Sequence, residues 1–340
     1  MNFDLDQDQL DAAAGARRFF TDQASPAAAR AALEDGPVQP GRQALADIGF
    51  LGITVAESAG GGGGALLDLA VVAEQAGAVL AGPSLVTAAR AAVLLAEEPE
   101  LAAALADGSR AFCVVDGSSP ALDAVGADTF LALVDGDLVV GGGTVVAGQP
   151  MDATRGLGVV TLTDPRVLVP DAAALWARAR DVALVVLAAE DLGTAGRAVE
   201  VGVAYAKERH AFGRAIGSYQ AVKHSLVDAW VGVEQLRSLV WWSAWAADRA
   251  PDELPLAAAA AKAFAAETLE RAAETCIQVH GGTGFTWEHD AHLYWRRAKT
   301  DRFLLGDDVA AYDEVARLAL AAVSAGQPGG VAPEPAGAAR

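Results

Sequence analysis

The residues whose types and spacing point most clearly to chemistry lie in the run 209–224, RHAFGRAIGSYQAVKH. It places a guanidinium at Arg209, an aromatic ring at Phe212 and a side-chain amide at Gln220, with glycines between them. Arginine carries a rigid fork of hydrogen-bond donors whose geometry matches phosphate and carboxylate groups. We therefore interpret this run as an anion-binding corner between two helices.

A second run of similar character is 278–285, QVHGGTGF, in which Gln278 is followed by the glycines Gly281 and Gly282. Paired glycines let the backbone approach a ligand where a Cβ would collide with it. Further cations flank the two corners: Lys207, Arg214 and Lys223 around the first, and Arg296, Arg297, Lys299 and Arg302 after the second. Such cations can also form an ordinary solvated surface, but the adjoining glycines and glutamine favour a ligand.

The elements that must position these corners are three long amphipathic helices. Apolar residues recur at steps of 3 and 4, the pattern of a core stripe in an antiparallel bundle. The three stripes are Ala188, Leu192, Ala195, Val199, Val203 and Ala206; Val222, Leu226, Ala229, Val233, Leu236 and Val240; and Ala265, Leu269, Ala272, Cys276 and Val279. Each corner therefore falls at a helix end.

The first hundred residues also show helical spacing, in the segments 9–22, 26–34, 65–78 and 84–95. Between the two pairs, the run 51–59 and the glycines of 60–64 resemble a strand feeding a dinucleotide-binding loop. However, the glycines lack the fingerprint spacing, and no alternation of strands and helices follows. A flexible loop between helices is the simpler interpretation.

Residues 111–170 instead carry short β-branched runs, at 112–115, 129–134, 138–140, 159–162 and 167–169. Asp135-Gly136 between two of them is a strong hairpin signal. The predicted fold class is thus α+β, mainly α. Its units are an N-terminal helical domain (1–107), a small β domain (108–172), a C-terminal four-helix bundle (173–326) and a disordered tail (327–340).

Composition excludes several classes of protein. A formal net charge of -19 over 340 residues argues against nucleic acid as a partner. The acidic N-terminus does not resemble a signal peptide, and no apolar run approaches the ~20 residues that span a bilayer, so we expect a cytoplasmic protein without membrane contact. Cys113 and Cys276 lie far apart without metal-ligand spacing, and we expect no metal site.

The two corners, the order of the units and the 51–64 segment resemble the acyl-CoA dehydrogenase family, flavin enzymes that desaturate acyl-CoA thioesters. The resemblance implies FAD as cofactor, with Arg209, Phe212 and Gln220 meeting the FAD of a neighbouring subunit and the guanidinium on its pyrophosphate. It implies that Gln278, Gly281 and Gly282 approach the FAD from the other corner. It also implies an acyl-CoA substrate, an electron-transfer flavoprotein or similar acceptor, and an oligomer, usually a dimer of dimers.

The chain departs from the family where the catalytic base belongs. In many members a glutamate shortly after an Arg-Asp-Ala-Lys motif takes the α proton; here the motif is 296–299, RRAK, and Leu305 stands at the glutamate's place. The alternative family position, near Ala183 and Leu184, is also apolar. The flavin-facing segment of the β domain is reduced to 115–120 at best.

Asp307 is the candidate for a relocated base, and Glu190 is a second. Asp307 and its neighbour Asp308 also precede a helical pattern, where acids commonly cap the helix, and Glu190 is expected to be paired inside the bundle. Three hypotheses remain open: a dehydrogenase subunit that lends part of the FAD site to a catalytic sibling, an autonomous homotetrameric dehydrogenase with a relocated base, and a flavin-free structural helical protein.

Overall fold

The computed structural model describes residues 4–34, 39–82 and 84–324; the predicted tail at 327–340 lies outside them. The first described third consists of helices, and the four predicted ones are confirmed. Two short helices, α3 and α6, are additional to the prediction. The bounds are α1 Gln7–Gln23, α2 Pro26–Ala32, α3 Arg42–Asp47, α4 Leu66–Ala78, α5 Leu85–Leu94 and α6 Pro99–Ala106.

The segment between α3 and α4 contains two 3-10 turns, Phe50–Gly52 and Glu57–Ala59, and no strand. The glycine run that follows is a loop, as predicted, but it is tied down. The amides of Gly62 and Gly64 donate to the carbonyls of Gly52 and Ile53 over 2.8 Å each. The dinucleotide-binding alternative is therefore wrong for this segment.

A four-stranded sheet follows, in the order β1-β2-β3-β4. β1 Phe112–Val115 is parallel to β2 Thr129–Val134, while β3 Asp137–Ala147 is antiparallel to both β2 and β4 Gly158–Val169. The predicted hairpin is confirmed, with positive φ at Asp135 (52°) and Gly136 (93°). The runs 159–162 and 167–169 prove to be parts of one strand, β4, with register irregularities against β3.

The second half is a helical bundle, which confirms the predicted fold class. Its core stripes are confirmed in the main, since most of their residues are buried. Between α7 and α8 a two-stranded ribbon, β5–β6, marks the first corner. The bounds are α7 Ala173–Glu208, β5 His210–Ala211, β6 Arg214–Ala215, α8 Gln220–Arg249, α9 Leu254–His280, α10 Ala291–Asp301 and α11 Asp308–Ser324.

Helices α4 and α7 cross in backbone contact. A Cβ at Gly77 would lie 1.8 Å from the carbonyl oxygen of Glu190, and one at Gly193 would lie 1.7 Å from that of Glu74. The hydroxyl of Thr194 donates to the Gly77 carbonyl over 2.9 Å at the same place. The N-terminal helices and the bundle therefore share one hydrophobic core, whereas the sheet has a smaller second one.

A buried ion-pair network joins the sheet to the helices. Arg155, from the 3-10 turn before β4, pairs with Glu190 of α7 and Asp301 of α10, and all three are at most 2% exposed. Next to it, Arg297 pairs with Asp152 and donates to the hydroxyl of Thr154. Buried charges need such partners, because an unpaired one is strongly destabilising.

In the described segments, no helix combines the length and the hydropathy that crossing a bilayer requires.

Candidate functional site

The first corner is built where α7 ends. The amide of Arg209 donates to the carbonyl of Tyr205 over 2.9 Å and closes the helix, so that its side chain follows the last turn. The ribbon then turns at Phe212, which has φ 52° and is 97% exposed. The hydroxyl of Tyr219 donates to the Ala211 carbonyl over 3.0 Å and holds the ribbon against the start of α8.

The polar groups of this corner are available to a ligand. Gln220 is the first residue of α8 and is exposed. The Arg209 guanidinium makes no hydrogen bond or ion pair with any of the residues described. Arg214 differs, because its guanidinium lies 3.9 Å from the centroid of the Tyr219 ring. Neither guanidinium has a hydrogen-bond or ion-pair partner among the described residues, and Arg214 alone is stacked on a ring.

The second corner is built where α9 ends. Gly281 caps the helix with φ 62°, a backbone conformation that favours glycine. Gln278 and Gly282 are exposed. An added Cβ at Gly281 or Gly282 would meet nothing within 4 Å. The surface beside this glycine pair is therefore open.

The structure brings the two corners together at one end of the bundle. The Tyr205 ring, one turn before the first corner, lies 4.1 Å from the His280 ring, and His280 lies 4.0 Å from His289. Burial, and secondarily the neighbouring His280, lower the pKa of His289. These stacked rings were not among the predicted site residues. In the sequence, Tyr205 stands one turn before the first corner and His280 lies within the second, and this proximity is the signal that would have indicated them.

Three of the four cations after the second corner are neutralised by carboxylates of the chain, while Arg296 donates to the neutral carbonyl of Met151 and lies over the Trp287 ring. Arg297 is fully buried and belongs to the ion-pair network. Lys299 pairs with Glu270, and Arg302 pairs with both Glu270 and Asp308. Of the cations around the two corners, those without an ion pair among the described residues are therefore Arg296 and the cations of the first corner.

The acids considered for the base have structural partners. Asp307 Oδ1 accepts from the amide of Ala310 over 2.8 Å, the geometry of a cap on α11. Asp308 accepts both hydrogen bonds from the Arg302 fork at 2.9 Å each. Glu190 lies in the buried network and accepts further bonds from the hydroxyl of Ser84 and the amide of Leu85.

Leu305, at the family's base position, adjoins a cavity of about 460 Å³ between the sheet and the bundle. Leu305 has φ 58°, and its carbonyl accepts from Nη2 of Arg180 over 2.6 Å. On the sheet side of the cavity, Asp116 accepts two bonds from Arg90, at 2.5 and 2.6 Å. The place of the family's carboxylate is thus next to a guanidinium.

The corners and this cavity lie at opposite ends of α7. Arg180 belongs to the second turn of the helix and Arg209 follows its last residue. At a rise of about 1.5 Å per residue, the 29 steps between them span ~43 Å. A single FAD is much shorter than this span.

Comparisons with known proteins agree with this architecture. A family model described as "Acyl-CoA dehydrogenase, N-terminal domain" matches residues 6–98, and one described as "Acyl-CoA dehydrogenase, C-terminal domain" matches residues 181–323. Among solved structures, a Tcur3481-Tcur3483 steroid ACAD variant has a TM-score of 0.81 at 26% identity, covering 94% of this chain and 99% of that one. The ChsE4-ChsE5 complex from Mycobacterium tuberculosis has a TM-score of 0.80 at 24% identity, covering 93% and 98%, and is similar in fold.

Two curated relatives come from Mycobacterium tuberculosis (strain ATCC 25618 / H37Rv). Acyl-CoA dehydrogenase IpdE2 is 36% identical over 292 residues, which are 83% of this chain and 88% of that protein. Acyl-CoA dehydrogenase FadE34 is 39% identical over 276 residues, which are 75% of this chain and 38% of that protein. The chain belongs to the acyl-CoA dehydrogenase family.

Proposed function

We propose that this chain is a subunit of an FAD-dependent acyl-CoA dehydrogenase and that it lends its two corners to the FAD site of a related catalytic subunit. The observation that carries the proposal is Leu305, which stands at the family's base position and leaves this chain's own cavity without a proton acceptor there. The corners lie ~43 Å from the cavity beside Leu305, on the helical rise, so one FAD cannot serve both within one chain. The name of the ChsE4-ChsE5 complex, a pair of different chains, supports a heteromeric assembly.

The residues of the corners fit such a cofactor. The free guanidinium of Arg209 would hold the pyrophosphate by charge-assisted hydrogen bonds. Phe212, almost fully exposed, offers an aromatic face, and Gln220 offers an amide. From the second corner, Gln278 and the open backbone at Gly281 and Gly282 would approach the same molecule.

In α,β-desaturation of an acyl-CoA thioester, a carboxylate removes the α proton while hydride leaves the β carbon. Bound FAD would supply the hydride acceptor. Leu305 has no group that accepts a proton, and the nearby Arg180 is a permanent cation. We therefore assign proton abstraction to the partner subunit, and cofactor binding to Arg209 and its neighbours.

A similar solved structure supports a substrate class. The Tcur3481-Tcur3483 structure is described as a steroid ACAD, which supports a bulky, ring-bearing acyl-CoA as substrate of the assembled enzyme. We further propose an electron-transfer flavoprotein or similar acceptor, as in the family, and a heterotetramer as the working assembly.

The visible absorption spectrum tests the proposal. The chain is purified alone, and also together with an acyl-CoA dehydrogenase sibling that has a glutamate at the base position, each after addition and removal of FAD. We expect almost no flavin in the chain alone and bound flavin in the complex. One flavin per isolated chain with turnover would instead indicate an autonomous dehydrogenase, and no flavin in either sample would indicate a structural protein.

A further inference from the structure

Three histidines gather where α9 ends and α10 begins, behind the second corner. His280 is the last residue of α9, His289 precedes α10, and His292 lies in the first turn of α10. The His280 and His289 rings lie 4.0 Å apart between centroids, and His292 is 8% exposed. The segment between the two helices therefore packs on imidazole rings at both of its ends.

Hydrogen bonding requires His280 and His289 to be neutral. Nδ1 of His280 lies 2.7 Å from the carbonyl oxygen of Cys276 and so carries the proton. Its Nε2 is buried and has no hydrogen-bond partner in the part of the chain that the structure describes, so a second proton there would have no acceptor. Nδ1 of His289 accepts from the amide of Ala291, the first residue of α10, over 3.1 Å. Protonation of that nitrogen would break this bond and bring a cation to a helix N-terminus.

His292 is disfavoured as a cation by its surroundings. Both of its ring nitrogens are buried and lack hydrogen-bond partners among the described residues, and its ring stands edge-on to that of Trp287 with 4.8 Å between centroids. Burial, followed by the guanidinium groups of Arg296 and Arg30, lowers the pKa of His292. Asp290 acts in the opposite direction, but it already pairs with Arg30.

The groups that face His289 belong to α2, α7, α9 and the segment itself. Burial and His280 lower the pKa of His289, Arg30 acts in the same sense, and Asp290 opposes them. The ring of Tyr205 on α7 lies 6.3 Å away between centroids. Since both pKa values are lowered, the closed segment binds fewer protons than an open one. The stability of the closed segment is therefore complete above the ordinary histidine pKa of about 6.5 and declines as the pH falls below it.

We propose that the 281–292 segment is an acid-sensitive latch, closed while its histidines are neutral and released when His289 and His292 become protonated. In the closed state the ion pair of Arg30 with Asp290 joins the segment to α2, and the His289 ring packs on His280 of α9. Protonation places new positive charge against this packing and beside Arg30. The released segment carries the second corner with it, so acid would weaken flavin binding there. That consequence rests on the proposed function, whereas the latch itself does not.

Hydrogen exchange of the full-length chain tests the proposal, measured by mass spectrometry at about pH 7.5 and about pH 5.5 and corrected for the intrinsic effect of pH. Each histidine that is neutral only in the closed state shifts the opening equilibrium by up to about tenfold between these two values. We expect the protection of residues 283–293 to fall by about ten- to a hundredfold at the lower pH, and that of residues 226–240 in α8 to stay unchanged. The experiment needs no flavin, so its outcome is independent of the cofactor assignment.

Two substitutions separate the latch from other effects of acid. His289→Asn keeps an acceptor for the Ala291 amide, His292→Phe keeps a ring against Trp287, and neither new side chain titrates. The double variant should lose most of the difference in protection between the two pH values. His224→Asn, which removes an exposed histidine of α8, is the control and should keep the full difference. Equal protection of the segment at both pH values in the unmodified chain, or an undiminished difference in the double variant, would overturn the proposal.

Discussion

At the scale of single residues, Arg180 and Arg209 lie near opposite ends of α7 and differ in what surrounds them. Arg209 is exposed beside an open glycine corner, whereas Arg180 faces a cavity with aliphatic walls. Each offers donors that the chain itself leaves unused. The first environment suits an extended polyanion, and in the second the guanidinium donates to the Leu305 carbonyl.

Arg209→Ala should weaken FAD retention in the assembled dehydrogenase. The loss of one hydrogen-bonding charged group costs about 1.5 to 3 kcal/mol, equivalent to roughly 10- to 150-fold in the dissociation constant. Flavin fluorescence on dilution measures the release. Arg271→Ala, which removes an exposed cation on α9, serves as control. Unchanged flavin content in the Arg209 variant would refute the shared-site assignment.

The predicted catalytic role of Asp307 is tested by two substitutions. Asn caps a helix as well as Asp does, so Asp307→Asn should preserve both stability and turnover if the residue only caps α11. Asp307→Ala should cost about 1 kcal/mol of stability through the lost cap. Turnover is measured with acyl-CoA in the assembled enzyme. If Asp307→Asn folds normally but no longer turns over, Asp307 is the base after all.

At the scale of elements, the buried network fixes the sheet against the bundle. Arg155→Met should lower the free energy of unfolding by about 3 to 5 kcal/mol, because Glu190 and Asp301 then stay buried without their cation. Chemical denaturation at fixed protein concentration measures the loss. The exposed pair of Arg197 and Glu200 is the control, and Arg197→Met should cost less than about 1 kcal/mol. Equal losses in the two variants would show that burial does not decide the effect.

The sequence predicts the long helices well because their signal is local. The stripe through Leu226, Val233 and Val240 repeats every turn, and each of these residues is buried. The short helices α3 and α6, of six and eight residues, were not predicted, whereas α2, of seven, was, so the repeat is an uneven signal at this length. In the sheet, the separate apolar runs 159–162 and 167–169 predict two strands, whereas the structure has one continuous strand, β4.

The site is predictable in part for the same reason. Arg209 and Gly281 stand at helix ends, which periodicity locates. The partners of Arg297 do not follow from local spacing, because Asp152 is 145 residues away. The guanidinium beside Leu305 was also missed, since Arg180 reaches that carbonyl from 125 residues away. Only the three-dimensional packing reveals such pairs.

At the scale of the whole molecule, α11 presents apolar side chains to solvent. None of its side chains is buried, although four large apolar ones are exposed: Val309, Tyr312, Leu320 and Val323. On α8, Val227, Trp230 and Val231 are exposed as well. Exposed apolar side chains typically mark a protein interface where they gather into one patch. The proposed assembly with a related subunit would cover it.

Leu320→Glu should therefore reduce the assembled mass, because a carboxylate in the interface loses its hydration without gaining a partner. Light scattering coupled to size exclusion measures the mass, and circular dichroism checks that the helices persist. Leu10→Glu, the same change at an exposed leucine of α1, should leave the mass unchanged. Equal masses for both variants would place the interface elsewhere.

The backbone contacts of Gly77 with Glu190 and of Gly193 with Glu74 also limit how α4 and α7 can move. Helices separated by side chains can slide by exchanging rotamers, but α4 and α7 touch through their backbones and have no such layer to rearrange. At this crossing α7 therefore cannot slide along α4, and a relative movement of the two helices has to be a tilt about the crossing point. Any tilt of α7 about this crossing would move Arg209 and Arg180, on either side of it, in opposite directions.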